Sequence, residues 1–487
     1  MARTSLCMLK RTANAALVVA VGFTVVVPTI AKAENQFKVN FMGENPSGKL
    51  KLGMGSFKTF NSEQATPRQA PAKFNAECPP TIRCVVSPAA YQNNNPSDPV
   101  DYGNYDKANR PADGMAINSI VIHDTEGSLK STLEAFQNPA FYASAHYVID
   151  ADGTVYQTVP TKDVAWHAGN WWHNMHSIGI EHVGHSSLGG TEYTPAMYRS
   201  SAELVKWLAA KYQVPLDRQH IIGHDNVPGT TKETMTNMHT DPGPFWNWQN
   251  YMATLGAPVV PTAGMNSKLV TVAPIWPLNQ QKVTDCQPVS PTCAAGSTQP
   301  SNFVYLRIAP SQSAALLTDP VLGQGTTALA NNAARAFHGQ EFAVADRQFD
   351  RGGVWYKVWY DGQLGWFYSP WNTPTGFPSS GKVLTPKPGL ASVQVYGRPL
   401  PNKNEYPADF TPPSGSVPYP TPLPYKIPAG QQYAVTEGEV PNDHYFAWTY
   451  NASLPYDHTV FKGGERYLRL TYNGREAFVK AAEVEVK

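Results

Sequence analysis

The sequence predicts an α/β domain built on a single mixed β-sheet flanked by helices, followed by small all-β modules. Three observations predict this. Ile120, Val121 and Ile122 form an apolar run of the kind a buried central strand needs. HYVID and TVYQTV, joined through Asp152-Gly153, read as a β-hairpin. Towards the C-terminus, two stretches of alternating strand residues each close on a hairpin turn, Tyr-Asp-Gly at 360–362 and Tyr-Asn-Gly at 472–474.

Taken in order, residues 1–33 read as an export leader. Arg3, Lys10 and Arg11 precede an apolar run from Ala15 to Ile30, and Ala31-Lys32-Ala33 offers small residues for cleavage. The apolar core, broken by Pro28, is too short to favour a stable membrane anchor. Cys7 precedes that core, the wrong place for a lipid-modified cysteine. The chain is therefore expected to be secreted and associated with a cell wall.

The whole sequence carries 38 Lys+Arg and 37 Asp+Glu. Four of the bases lie in the leader and no acid does, so removal leaves 34 against 37, near −3. That balance argues against a nucleic-acid partner. Of the five cysteines, Cys78 with Cys84 and Cys286 with Cys293 are spaced for two small local disulfide loops in an exported chain. A single zinc site made from all four would need the short knuckle spacings that are missing here.

Residues 34–111 are polar and interrupted by proline, and an extended or loosely packed lead-in is expected. The central domain is placed at 112–256. There, Leu129, Leu133 and Phe136 share one face of a short helix, and Thr194-Pro195 opens a longer one with Met197, Leu204, Val205 and Leu208 as its apolar stripe.

His123 sits at the end of the Ile120–Ile122 run, where a side chain can leave the core for a cleft. A lone histidine on a strand is more often a packed core residue. Three later segments change that balance: Glu181 in SIGIEHVGH, His224 in IIGHDN, and the HTDPGP run carrying His239 and Asp241. Two imidazoles and one carboxylate form a usual protein set for a catalytic zinc, with the fourth position left to water. His123, His224 and Asp241 are the expected metal ligands. Glu181, following an apolar strand, could act as general base, and His239 could donate to a developing oxyanion or leaving amine. The blander readings are a surface salt bridge for Glu181 and a solvated loop residue for His239. His167, His173 and His176 flank Trp166, Trp171 and Trp172 and are expected to line a groove or pack against those rings. His146 and His182 are expected to be structural.

Six segments in order, IVIHDTEG, SAHYVIDADGTVYQTVP, VAWHAGNWW, HSIGIEHVG, IIGHDNV and HTDPGPFWNW, resemble the zinc-dependent type-2 N-acetylmuramoyl-L-alanine amidases, relatives of peptidoglycan recognition proteins. The resemblance covers about a third of the chain. It implies the same α/β fold, a zinc cofactor and hydrolysis of the amide between N-acetylmuramic acid and the L-alanine of the stem peptide. Three departures stand out. Many relatives carry lysine at the position of His239. Phage-type members carry a catalytic tyrosine where this chain has Ala145. The stretch from Gly229 to Met238 is longer than relatives usually have.

Residues 257–302 read as a Pro-rich linker holding the Cys286–Cys293 loop. Beyond it, VYLRIAP near Tyr305 and GQLGWFYS resemble the opening and close of a bacterial SH3-like wall-binding module, placed at 303–376. A weak repeat at an offset of 112 residues, from Gly352 and from Gly464, suggests a second, divergent module at 380–487. The expected partners are peptidoglycan as substrate and the wall through these modules. The rival function is a non-catalytic peptidoglycan-binding protein; an intact ligand set separates the two and favours the enzyme. A wall glycosidase would need a carboxylate pair across a sugar cleft and would not need the histidines. Because every expected site residue precedes Gly256, a fragment ending there is expected to fold and cleave.

Overall fold

The computed structural model describes residues 74–284, 298–414, 416 and 418–487. The expected leader, residues 34–73 of the lead-in and the Cys286–Cys293 loop lie outside them. Among the described residues no helix is long and apolar enough to cross a membrane.

The central sheet has six strands: β1 (Cys84–Val86), β2 (Ser119–Asp124), β3 (Tyr147–Ile149), β4 (Val155–Gln157), β5 (Ser177–His182) and β6 (Ile221–Gly223), in the order β1-β4-β3-β5-β2-β6. Only the β3–β4 hairpin is antiparallel, and its turn places Gly153 at φ 85°, the left-handed conformation glycine tolerates. The other pairings are parallel, so the sheet is mixed, as expected. Every residue of β2 is buried, which is what a central parallel strand covered on both faces requires.

Helices supply the cover: α1 (Leu129–Phe136), α2 (Trp171–His176), α3 (Pro195–Tyr212), α4 (Lys232–Asn237) and α5 (Trp248–Leu255). The α3 helix starts as the sequence predicts, with the Thr194 hydroxyl accepting from Met197 N–H and Pro195 in the first turn. Its predicted stripe, Met197, Leu204, Val205 and Leu208, is fully buried against Ile120, Ile122, Ile178 and Ile180. Side chains alternate across a strand. Val121 and Ile222 therefore point to the opposite face, where they meet Ala168, Val227 and Met238.

The lead-in is not loosely packed where it is described. Strand β1 pairs with β4, Tyr102 and Tyr105 are buried, and the Cys78–Cys84 disulfide closes a short loop with Cα atoms 6.4 Å apart. Glu77 explains much of this anchoring. Its carboxylate accepts from Thr161 N–H (2.8 Å), Thr161 Oγ1 (2.6 Å), Gln157 Nε2 (2.9 Å) and Lys211 Nζ (2.6 Å). Proline and asparagine mark a segment of short, interrupted elements, not one without packing.

The expected linker also needs correction. Strand β7 (Leu269–Val272) lies between β8 (Glu341–Phe349) and β11 (Gly376–Ser379) in a five-stranded sheet completed by β9 (Gly353–Tyr360) and β10 (Gln363–Pro370). Val270 and Val272 enter the same core as Phe342, Val354 and Phe367. Four residues between proline-rich flanks were too short a signal to read as a strand.

The last sheet has seven strands: β12 (Val383–Pro386), β13 (Ser392–Tyr396), β14 (Pro422–Pro428), β15 (Tyr433–Phe446), β16 (Thr459–Thr471), β17 (Glu476–Lys480) and β18 (Val484–Val486). The tail is thus all-β, as expected. Both hairpin turns of the repeat are present, Asp361-Gly362 between β9 and β10 and Tyr472–Arg475 between β16 and β17.

Candidate active site

The site is assembled at the carboxyl ends of three adjacent parallel strands, where open α/β sheets place their ligand crevices. His123 on β2 pairs in register with Glu181 on β5, and β6 runs beside β2 so that His224 follows directly from its end. Strand alternation sends His123 and Glu181 to the face opposite α3. The fourth segment, Met238–Gly243, folds back so that Asp241 closes the set, its carbonyl accepting from Asp225 N–H at 2.8 Å.

The three expected ligands meet. His123 Nδ1 lies 3.0 Å from Asp241 Oδ2, and His224 Nδ1 lies 3.1 Å from Asp241 Oδ1. All three residues are buried, and one ligand atom from each lies within 4.8 Å of the others. The far ring nitrogens are occupied elsewhere: His123 Nε2 sits 3.0 Å from His167 Nδ1, and His224 Nε2 lies 3.0 Å from Ala168 O. Such outer partners fix which nitrogen faces inward. Buried together, His224 Nδ1 and Asp241 Oδ1 face one another without a well-formed hydrogen bond, a state that a metal ion between them would relieve.

The electrostatics agree. Burial pushes the His224 imidazole down to about 4, so it is neutral at physiological pH and can offer a lone pair. Burial alone would raise Asp241, but His224, His123 and His239 outweigh it and hold the carboxyl well below its usual range. A neutral imidazole facing an ionised carboxylate suits a divalent cation.

Glu181 is buried beside this set, and its Oε2 has no hydrogen-bond partner. Burial, with Asp241 and Glu126 nearby, pushes its carboxyl well above the ordinary range. A salt bridge at the surface is thereby excluded. His239 is less enclosed, its side chain 21% exposed, with Nδ1 3.5 Å from Asp241 Oδ1 and its ring 5.0 Å from that of His224. It borders the site as the sequence suggests.

Other histidines fall where their packing allows. His167 does not line a groove. It lies against Gly179, where an added Cβ would come within 2.5 Å of the ring, and it reaches Ser177 Oγ at 3.2 Å while supporting His123. Only a residue without a side chain leaves room for that imidazole. His173 and His176 pack as expected, and each also pairs with an acid of the last sheet: Glu476 at 3.0 Å and Asp443 at 2.8 Å. His182 is structural, bridging His123 O (2.9 Å) and Ser201 Oγ (2.8 Å). His146 is also structural, wedged beside Arg110 Nη2 at 2.9 Å.

Sequence reasoning missed the frame around the ligands. Tyr193 donates to the buried Asp124 carboxylate and, at 3.0 Å, to Pro242 O, tying β2 to the Asp241 turn. Ser186 donates to Glu126. The one sequence signal available for His167 was the glycine at 179, which has meaning only once the two segments are brought together.

Residues 113–244 match the N-acetylmuramoyl-L-alanine amidase family. N-acetylmuramoyl-L-alanine amidase A of Achromobacter lyticus is 30% identical over 171 residues, covering 32% of this chain and 89% of that protein. The 1,6-anhydro-N-acetylmuramyl-L-alanine amidase AmpD of Salmonella typhimurium is 37% identical over 116 residues, covering 23% of this chain and 56% of AmpD. The chain thus spans about half the length of that second relative. A crystal structure of a selenomethionine AmpD derivative aligns with 36% of this chain and 94% of its own, at 26% identity and a TM-score of 0.25. The chain belongs to the N-acetylmuramoyl-L-alanine amidase family.

Proposed function

We propose that the chain is a secreted, zinc-dependent peptidoglycan amidase that cleaves between N-acetylmuramic acid and the L-alanine of the stem peptide. The observation that carries this reading is the convergence of His123 Nδ1, His224 Nδ1 and the Asp241 carboxylate in a buried pocket beside Glu181. A zinc ion held by His123, His224 and Asp241 would polarise the amide carbonyl and lower the pKa of a water towards 7.

The chain's own residues supply the rest. Glu181 stands beside the ligands with a free oxygen, so it takes the proton from the attacking water and returns it to the nitrogen of the departing L-alanine. His239, at the more open side, donates to the oxygen that gains charge in the tetrahedral intermediate. His167 and the Ala168 carbonyl keep the two ligand imidazoles from rotating. The all-β tail is proposed to add attachment to the wall through SH3-like modules, by raising the effective concentration of the catalytic domain.

The decisive experiment uses purified peptidoglycan and the chain without its leader. Labelling of newly exposed groups should reveal free α-amino groups on L-alanine, with no increase in reducing sugar ends. A glycosidase gives the reverse, and a non-catalytic binding protein sediments with the wall and releases nothing even with zinc supplied. Absence of new alanine amino groups at saturating protein and zinc refutes the amidase reading.

A further inference from the structure

The final hairpin of the chain reaches the loop that carries two of the site histidines. Its tip, Tyr472–Arg475, is closed by a bond from Tyr472 N–H to Arg475 O at 3.0 Å, with Gly474 at φ 75°. A Cβ on Gly474 would come within 2.7 Å of Arg335 O, so the tip lies directly on the neighbouring β module. Gly474 O accepts from Asn226 Nδ2 at 3.2 Å and from Gln340 Nε2 at 2.7 Å. One carbonyl thus joins the amidase domain to both all-β parts.

Arg475 is only 3% exposed, and its guanidinium is spent on backbone. Nη1 donates to Val227 O at 2.6 Å and to His224 O at 3.4 Å, while Nη2 donates to His239 O at 3.1 Å. These carbonyls stand at the two ends of the segment from His224 to His239, with Asp241 two residues further on. Residues outside strands have no ladder to satisfy their carbonyls. A guanidinium offers several donors in a fixed planar fork, so one residue can hold both ends of the loop at a set separation. Packing holds Val227 and Met238 against the sheet but leaves a gap beside Arg475. A cavity of about 120 Å³ lies against the loop, lined by Met235, Met238, Thr240, Asn331, Asn332 and Arg475 among others.

We infer that Arg475 is a positioning residue, which fixes the distance between His224 and the His239–Asp241 turn and makes the last β module a structural part of the active site. This rests on the zinc reading above. It assigns the C-terminal module a task inside the catalytic centre, distinct from attachment to the wall.

The test uses the full chain without its leader, as wild type, Arg475→Lys and Arg475→Met. Three quantities are measured: zinc retention in graded metal buffers, amide hydrogen exchange over residues 224–241 in the metal-free protein, and kcat and KM on a soluble muropeptide. The expected result is zinc affinity reduced about 10- to 100-fold, the scale seen when groups supporting metal ligands are removed. Faster exchange confined to 224–241 and a fall in kcat larger than the change in KM should accompany it. Arg475→Lys should recover part of each effect, because it keeps the charge and one donor nitrogen that can reach one end of the loop. If the wild type binds no zinc, the zinc reading fails and the exchange of 224–241 alone decides the inference. Variants that keep wild-type zinc affinity and loop protection, losing only thermal stability, overturn it. So does wholesale unfolding of both, since releasing one loop should leave the sheet cores standing.

Discussion

His123 and Glu181 are direct partners in register on two parallel strands, β2 and β5, with their side chains on the same face of the sheet. This places a candidate base beside a candidate ligand through backbone pairing alone, before any loop is positioned. A one-residue slip of either strand would turn its residue into the core against α3. The strongest part of the site is therefore protected by the same apolar patterning that builds the fold.

From this geometry, Glu181→Gln should keep zinc at the wild-type level and lose turnover by roughly a hundredfold or more, the scale expected for a general base. Metal analysis together with kcat on a soluble muropeptide checks it. Normal turnover would mean that another group moves the proton.

His123→Ala, His224→Ala and Asp241→Ala should each lose zinc and activity together, because the ligands must converge to retain the ion. A chelator should abolish wild-type activity, and added zinc should restore it. Full activity in a preparation free of metal contradicts the assignment.

How much of this was readable beforehand follows from sequence distance. The strand bearing His123, the DG hairpin and the α3 stripe announce themselves by local pattern, the five candidate site residues only by several segments read together, and the structure brings those five into one place. What escaped is long-range. His167 supports His123 only because Gly179 admits its ring. His173 meets Glu476 and His176 meets Asp443 across more than 260 residues of chain, so no local window relates them. Strand β7 was hidden for the opposite reason, being too short between prolines to show a period.

The Glu77 anchor should make stability depend on acid. Burial alone would raise its carboxyl, but Lys211, Thr161 and Gln157 together lower it from 4.5 to about 2. A depressed folded-state pKa stabilises above the unfolded value, so the contribution is complete above about pH 4.5 and disappears as pH falls towards 2. With the side chain 27% exposed, solvent screening discounts the gain to roughly 1–2 kcal/mol. Glu77→Gln should cost that amount at pH 7, and its deficit relative to wild type should narrow steadily as pH falls from about 4.5 to about 2. A constant deficit across that range, read by denaturant melts, would show that shape and not charge anchors the lead-in.

The expectation that a fragment ending at Gly256 folds and cleaves needs revision. Trp172 is completely buried, and its ring packs 4.9 Å from that of Phe478. Trp171 Nε1 donates to Tyr445 O at 3.0 Å, and His173 and His176 face Glu476 and Asp443. Truncation would uncover a wide aromatic face and leave polar groups of α2 without the partners they were buried with, the costly side of the hydrogen-bond asymmetry. It would also free both ends of the His224–His239 loop from Arg475. The fragment should therefore aggregate, or melt at least about 10 °C below the full chain, given that each kcal/mol lost shifts a domain of this size by several degrees. Its residual soluble fraction should retain zinc poorly. Size-exclusion chromatography, thermal melts and zinc analysis of the fragment and the full chain decide the matter. A monodisperse fragment with the full chain's melting point and kcat would mean that the tail only leans on the amidase domain, and that the contacts at α2 and Arg475 carry no weight in the site.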